Sequence, residues 1–129
     1  MGLTAVPFLT AYSTSKFALV GLAECLRAEM AAHGIGVTTI CPLVVDTLIW
    51  QVSTLKGFSR NAVRIVSTTG MTSPEKIARI IVKSVRRNKG LVVLTFLGKV
   101  FYVLKRISHR LFELVLKITA GVTRKYEVK

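Results

Sequence analysis

The chain is poor in acid. Six Asp and Glu stand against nineteen Lys and Arg, a formal charge of +13 at neutral pH. That excess points to anionic surroundings, a membrane face or a nucleic acid, with a merely solvated basic face as the plain alternative. The imbalance is local: residues 1–50 hold two basic and three acidic side chains, residues 51–129 seventeen and three. Cysteine is scarce too. Cys25 and Cys41 lack the number and spacing of a disulfide framework or metal site, and read as small buried hydrophobes in a reducing compartment. The two histidines, His33 and His109, lie far apart with no ligand cluster, which argues against a metal. Long apolar runs are missing as well: the stretch over residues 91–104 is broken by Lys99 and falls short of the ~20 residues a transmembrane helix needs. The amino terminus lacks the basic region of a signal peptide, and Met1-Gly2 with Val6 misses the myristoylation pattern. With no repeats and no Pro/Ser-rich linker, the 129 residues predict one cytoplasmic domain with a tail.

What is present begins at Tyr12-Ser13-Thr14-Ser15-Lys16. Tyr12, Lys16, Leu19, Ala23, Leu26 and Met30 recur at the period of one helix face, which predicts a core-facing stripe headed by a phenol and an ammonium. Four residues apart, Tyr12 and Lys16 lie one turn from each other. A phenol titrates near ~10, and an adjacent cation lowers that by roughly 1–3 units. The shift moves it toward the range of a useful general acid or base. A lone Tyr-x-x-x-Lys also reads as helix-surface decoration; the residues on its carboxyl side give it weight. The helix stops at His33-Gly34, a cation for the dipole and a glycine for the cap. The β-branched run from Ile35 to Cys41 then halts at Pro42. Helix, Gly turn, buried strand and terminal Pro form the αβ half-unit of a doubly wound sheet.

With Tyr-Ser-x-Ser-Lys-x-Ala, the Leu26–Glu29 pattern, Gly-Ile-x-Val at residues 34–37 and the following Cys-Pro, residues 2–47 resemble the classical short-chain dehydrogenase/reductase family. The resemblance implies that Tyr12 is the acid/base that protonates a carbonyl oxygen as hydride arrives from a nicotinamide, or takes the proton back in oxidation. It implies that Lys16 lowers the tyrosine pKa and hydrogen-bonds the nicotinamide ribose. Residues 42–47 resemble the family's Pro-Gly-x-Val-x-Thr loop, so Pro42, Val45 and Thr47 are the further cofactor-binding residues, Thr47 near the carboxamide or the phosphates. Leu43 departs from that pattern, standing where the family has Gly, which changes the turn or crowds the cofactor. The family's dinucleotide-binding fingerprint, active-site Asn and carbonyl-polarising Ser precede the tyrosine and are not within these 129 residues. Ser13 and Ser15 sit beside the tyrosine on its own helix and cannot replace that Ser. Gly34-x-Gly36 is no phosphate cradle, because the order there is helix to strand. The implied object is the carboxyl-terminal half of an oxidoreductase, inactive by itself.

Beyond the loop, residues 48–55 predict a short apolar helix and the polar stretch to residue 72 an irregular loop; the resemblance implies that residues 46–72 are the family's substrate-covering lid. Trp50, Leu55 and Phe58 are candidate walls for an apolar substrate, or packing within the lid. Ser73-Pro74-Glu75 is a helix start: a hydroxyl cap, Pro at the first position, an acid in the first turn. A helix over 74–88 ends at a cationic turn and Gly90, and a strand over 91–95 completes a βαβ crossover with strand 36–41. The cations over residues 76–89 lack interleaved aromatics and read as a solvated helix face, so no nucleic-acid partner is predicted.

Past Phe96, a stripe of Val100, Leu104, Ile107, Leu111, Leu114 or Val115, and Ile118 predicts one long amphipathic helix ended by Gly121, with Lys99, Arg106, Arg110 and Lys117 on its opposite face. This tail either lies in a membrane interface, packs on the protein's own body or a subunit, or binds nucleic acid. The whole reads as an α/β chain: the carboxyl-terminal part of a doubly wound, Rossmann-like parallel-sheet domain (residues 1–96) and a basic amphipathic tail (residues 97–129). Expected with it are NAD or NADP, an apolar carbonyl or alcohol substrate, an anionic membrane surface at the cytoplasmic face, and a homodimer or tetramer in the full-length enzyme. The alternative is a truncated, non-enzymatic chain that binds a membrane or a partner through its tail.

Overall fold

Among the described residues, two short parallel strands set the frame for four helices. A computed structural model describes residues 2–42, 45 and 72–124. In chain order these form α1 (Thr10–Ala31), β1 (Thr39–Cys41), α2 (Pro74–Arg86), β2 (Leu91–Val93), α3 (Phe96–Ile107) and α4 (His109–Arg124). Thr39, Ile40 and Cys41 pair with Leu91, Val92 and Val93 in parallel, so the expected βαβ neighbours are present. Both strands are shorter than the β-branched runs that encode them. The short helix expected over residues 48–55 and the lid over residues 46–71 lie outside the described residues; Thr72, at the lid's far end, forms a parallel bridge with Val45.

Local chemistry sets the helix ends. The Ser73 hydroxyl accepts from the Lys76 N–H at 3.4 Å, with Pro74 in the first turn and Glu75 beside it, as the sequence predicts. Gly34 closes α1 at φ +69°; its N–H donates to the Ala31 carbonyl and that of Ile35 to Met30, each at 3.1 Å. This is the left-handed cap that glycine favours. At the end of α2 the left-handed residue is Asn88 (φ 47°), not Gly90. Gly90 answers a different need: a Cβ there would lie 2.9 Å from Arg27 Nε.

Arg27 joins three parts of the chain. One guanidinium nitrogen donates to the Val37 carbonyl at 2.6 Å and to Asn88 Oδ1 at 2.9 Å, and the other to the Asn88 carbonyl at 2.8 Å. Together with the buried Ser13, this decides which face of α1 turns inward. Lys16, Phe17, Val20, Ala23 and Arg27 are half-buried, whereas Tyr12, Leu19 and Leu26 are exposed. The expected stripe is thus turned by about one residue, because polar partners and not apolar spacing alone select the packed side.

The tail departs from the expected single helix. Ser108 adopts an extended conformation (φ −143°, ψ 104°) and divides it into α3 and α4, its hydroxyl accepting the Leu111 N–H at 3.4 Å. Helix α4 runs through Gly121 instead of stopping there. Thr95 caps α3 by accepting the Gly98 N–H at 3.2 Å, so the tail starts directly after β2. Lys105 anchors it: Nζ donates to the Leu3 carbonyl at 3.1 Å and sits 4.2 Å from the centre of the Phe17 ring. Loss of water holds this ammonium below the usual lysine range, while the ring face offsets part of the lost hydration. Phe112, 3% exposed, lies 5.9 Å from the same ammonium. Among the described residues the buried apolar side chains are Cys41, Ile77 and Phe112.

Replacing Arg27 by Ala leaves two carbonyls and an amide oxygen without their charged donor. We expect a loss of about 2 kcal/mol in urea unfolding, with Arg27→Lys recovering only part, because an ammonium cannot span both sites. An unchanged midpoint would show that the clamp is decorative.

Candidate active site

The start of α1 is set by an unusual turn. Phe8 has φ +66°, a left-handed conformation rare for an aromatic residue, just before the first helical turn. The turn is held from both sides: the Leu9 N–H donates to the Val6 carbonyl at 3.2 Å, and the Val6 N–H to the buried Ser13 hydroxyl at 3.3 Å. Ser13 is therefore occupied in shaping the helix entry, and the Ser15 hydroxyl donates to the Tyr12 carbonyl at 2.7 Å. Both serine hydroxyls are thus bound to backbone groups around the helix entry.

Tyr12 then stands 46% exposed, with Lys16 one turn on and its ammonium 5.2 Å from the centre of the phenol ring. A cation over an exposed aromatic face contributes about 0.5–1 kcal/mol. Both side chains line a cavity of about 310 Å³ whose far wall is the carboxyl end of β1 with Pro42. Leu19, Val20 and Ile40 make its sides apolar. At its edge Gly2 approaches α1 so closely that a Cβ would come within 2.6 Å of Val20 Cγ2 and 2.8 Å of the Lys16 carbonyl oxygen. Only a residue without a side chain fits there. Cys41 closes the strand side, and burial pushes its thiol above the usual range.

The structure thus brings three of the expected site residues together: Tyr12, Lys16 and Pro42. Val45 is placed elsewhere, in its parallel bridge to Thr72 and not on the cavity wall. Thr47, Leu43 and the candidate substrate walls Trp50, Leu55 and Phe58 lie outside the described residues. Sequence reasoning missed Gly2, whose sole signal is a glycine ten residues before the tyrosine, and the wall formed by Thr39, Ile40 and Cys41. It also missed Arg27, an ordinary helix cation by pattern. A larger groove of about 490 Å³ runs beside α2; among the described residues it is lined by Ala78, Arg79, Val82, Lys83, Arg86 and Arg87, with no carboxylate, histidine or hydroxyl side chain. No group of three or more His, Cys, Asp or Glu that could hold a metal occurs among the described residues.

A helix-borne tyrosine and lysine thus face the carboxyl end of a parallel strand, and similarity to known proteins falls on the same part of the chain. Residues 1–57 match the family described as short chain dehydrogenase. That segment belongs to the short-chain dehydrogenase family. Its relatives include a probable oxidoreductase, EphD, of Mycobacterium tuberculosis, 37% identical over 90 residues that make up 63% of this chain and 15% of the relative. The 3-dehydrosphinganine reductase of Danio rerio is 41% identical over 81 residues, 57% of this chain and 22% of the relative. Dehydrogenase/reductase SDR family member 7B of Xenopus laevis is 30% identical over 112 residues, 86% of this chain and 35% of the relative. The chain therefore spans between 15% and 35% of the length of these three relatives. No solved structure matches it.

As a short-chain dehydrogenase segment with a buried cysteine on the cavity wall, the chain has two thiols of different reactivity. Cys41 is buried as the sequence predicts, but Cys25 is exposed, on the outward side of α1. Because a raised pKa means less thiolate at a given pH, Cys41 should alkylate at least ~tenfold more slowly than Cys25 at pH ~8. The gap should narrow as pH rises past the ordinary thiol range of about 8.5, and vanish in denaturant. Mass spectrometry of the alkylated peptides reads this directly; equal rates in the folded chain would contradict the placement of Cys41.

Proposed function

We propose that this chain carries the proton-transfer part of an NAD(P)-dependent alcohol dehydrogenase or carbonyl reductase, with Tyr12 as acid/base and Lys16 as its partner. The observation that carries the reading is the convergence of Tyr12, Lys16 and the Pro42 end of β1 on one cavity. That cavity suits the nicotinamide–ribose end of a dinucleotide: apolar sides from Leu19, Val20 and Ile40 for a flat ring, and an ammonium for hydroxyl oxygens. The residues present do not extend to the pyrophosphate, because the 129 residues contain no Gly-rich strand-to-helix turn. When bound, the nicotinamide supplies or accepts the hydride. In reduction the Tyr12 hydroxyl donates its proton to the carbonyl oxygen of the substrate. The Lys16 ammonium stabilises the phenolate left behind and donates a hydrogen bond to a ribose hydroxyl. In oxidation the phenolate takes the alcohol proton. The apolar walls favour an apolar carbonyl or alcohol, and the sequence similarity to a protein named for reducing 3-dehydrosphinganine supports a carbonyl substrate. Thr47 and a lid bearing Trp50, Leu55 and Phe58 would complete the cofactor and substrate walls in this reading.

The test fuses the chain behind the dinucleotide-binding front half of one of these relatives and follows NAD(P)H oxidation with apolar ketones. We expect Tyr12→Phe to lower kcat by about 10²–10⁴-fold, and Lys16→Met to lower kcat while also weakening cofactor binding. The chain by itself should show no turnover. A Tyr12→Phe fusion as active as its parent would end the proposal.

A further inference from the structure

Helices α3 and α4 pack inward through Lys105, Leu104, Phe112 and Val115, yet leave a second apolar surface uncovered. On α3, Phe96, Val100, Val103 and Ile107 fall within about 60° of one another around the helix axis. They are exposed, Phe96 at 82% and Ile107 at 79%. On α4, Leu111, Leu114 and Ile118 fall within a similar arc of about 60°, and all are more than half exposed. The stripe predicted from sequence is therefore split: Leu104 and Val115 are half-buried, while Val100, Ile107, Leu111, Leu114 and Ile118 are exposed.

Charge identifies what covers the outer face. Lys99 and Arg106 on α3 lie about 40–60° beyond one edge of the exposed stripe, and Arg110 and Lys117 on α4 hold the equivalent place. All four are exposed. They flank the apolar face and do not oppose it, contrary to the sequence expectation. Glu113 is the one carboxylate over residues 96–121 and is held by Lys117 at 3.4 Å. An aliphatic stripe bordered by cations matches the boundary between acyl chains and anionic headgroups. A second copy of the chain is a poorer occupant, because its own cations would meet these across the contact at a net charge of +13. None of the described helices is long and apolar enough to cross a membrane, so the match is to a helix pair lying in the interface.

We propose that α3 and α4 dock this chain on anionic lipid surfaces, with the stripe from Phe96 to Ile118 in the acyl boundary and Lys99, Arg106, Arg110 and Lys117 at the headgroups. The inference is independent of the catalytic reading, since vesicle binding requires neither cofactor nor turnover. Flotation of the full chain with phosphatidylserine-containing vesicles, against phosphatidylcholine alone, should show at least ~tenfold preference for the anionic surface. Arg106→Gln with Arg110→Gln should lose about fivefold for each cation removed. Ile107→Ser with Leu114→Ser should lose roughly tenfold or more while helix content by circular dichroism stays unchanged. No flotation of the wild-type chain, equal partition into both vesicle types, or a concentration-dependent dimer that the Ile107→Ser, Leu114→Ser chain no longer forms would each overturn the proposal.

Discussion

The Arg27 guanidinium governs how the rest of the molecule is arranged. It reaches from the carboxyl-terminal part of α1 to the segment entering β1 and to the turn between α2 and β2, and satisfies acceptors on both. A planar fork with several fixed donors can meet such a set where a flexible ammonium cannot. Through these bonds α1 takes up one rotation about its axis and one position along the strand pair. Tyr12 and Lys16, four and three turns nearer the amino terminus, are thereby aimed at the carboxyl end of β1. A helix rotated by one residue would carry the ammonium away from the strand, and the cavity would lose its polar wall.

Proximity continues from the site to the tail. Lys105 on α3 binds the Leu3 carbonyl, the neighbour of Gly2, and Gly2 both edges the cavity and touches the backbone of α1 at Lys16. The ammonium, the Phe17 ring and Phe112 form one cluster, so the two carboxyl-terminal helices brace the segment that enters the catalytic helix. The same helices display an apolar, cation-bordered surface on their other side. A tail that braces inward and displays outward carries apolar residues on two faces, which explains why its sequence accommodates both a packing and an interfacial reading.

Several features were legible because the physics behind them is local. Tyr12 and Lys16 share a face through helical periodicity alone. Ser73 and Pro74 start α2 because a hydroxyl cap and a fixed φ act within one turn, and Gly34 ends α1 because a left-handed residue costs glycine little. The parallel pairing of Thr39–Cys41 with Leu91–Val93 followed from two β-branched runs joined by a helix. Other features depend on residues far apart in the chain. Gly90 looked like a cap but makes room for Arg27, and Asn88 takes the left-handed turn while binding a partner sixty-one residues away. The periodicity of the tail gave no sign of the extended Ser108, because the apolar spacing runs on through the break.

By itself the sequence determined the chemistry at hand: a phenol with an ammonium one turn away, two short parallel strands joined through a helix, and a basic, apolar carboxyl-terminal third. These depend on residue type and spacing, which act within a few residues. Tertiary structure alone decided that α1 turns Ser13 and Arg27 inward while Leu19 and Leu26 face out, that Gly2 and Cys41 wall the cavity, and that the tail divides its apolar residues between the body and the outside. The physical reason is shared by all three. Each choice is made where a polar group is satisfied or a side chain excluded by a partner distant in the chain, and periodicity carries no record of that partner.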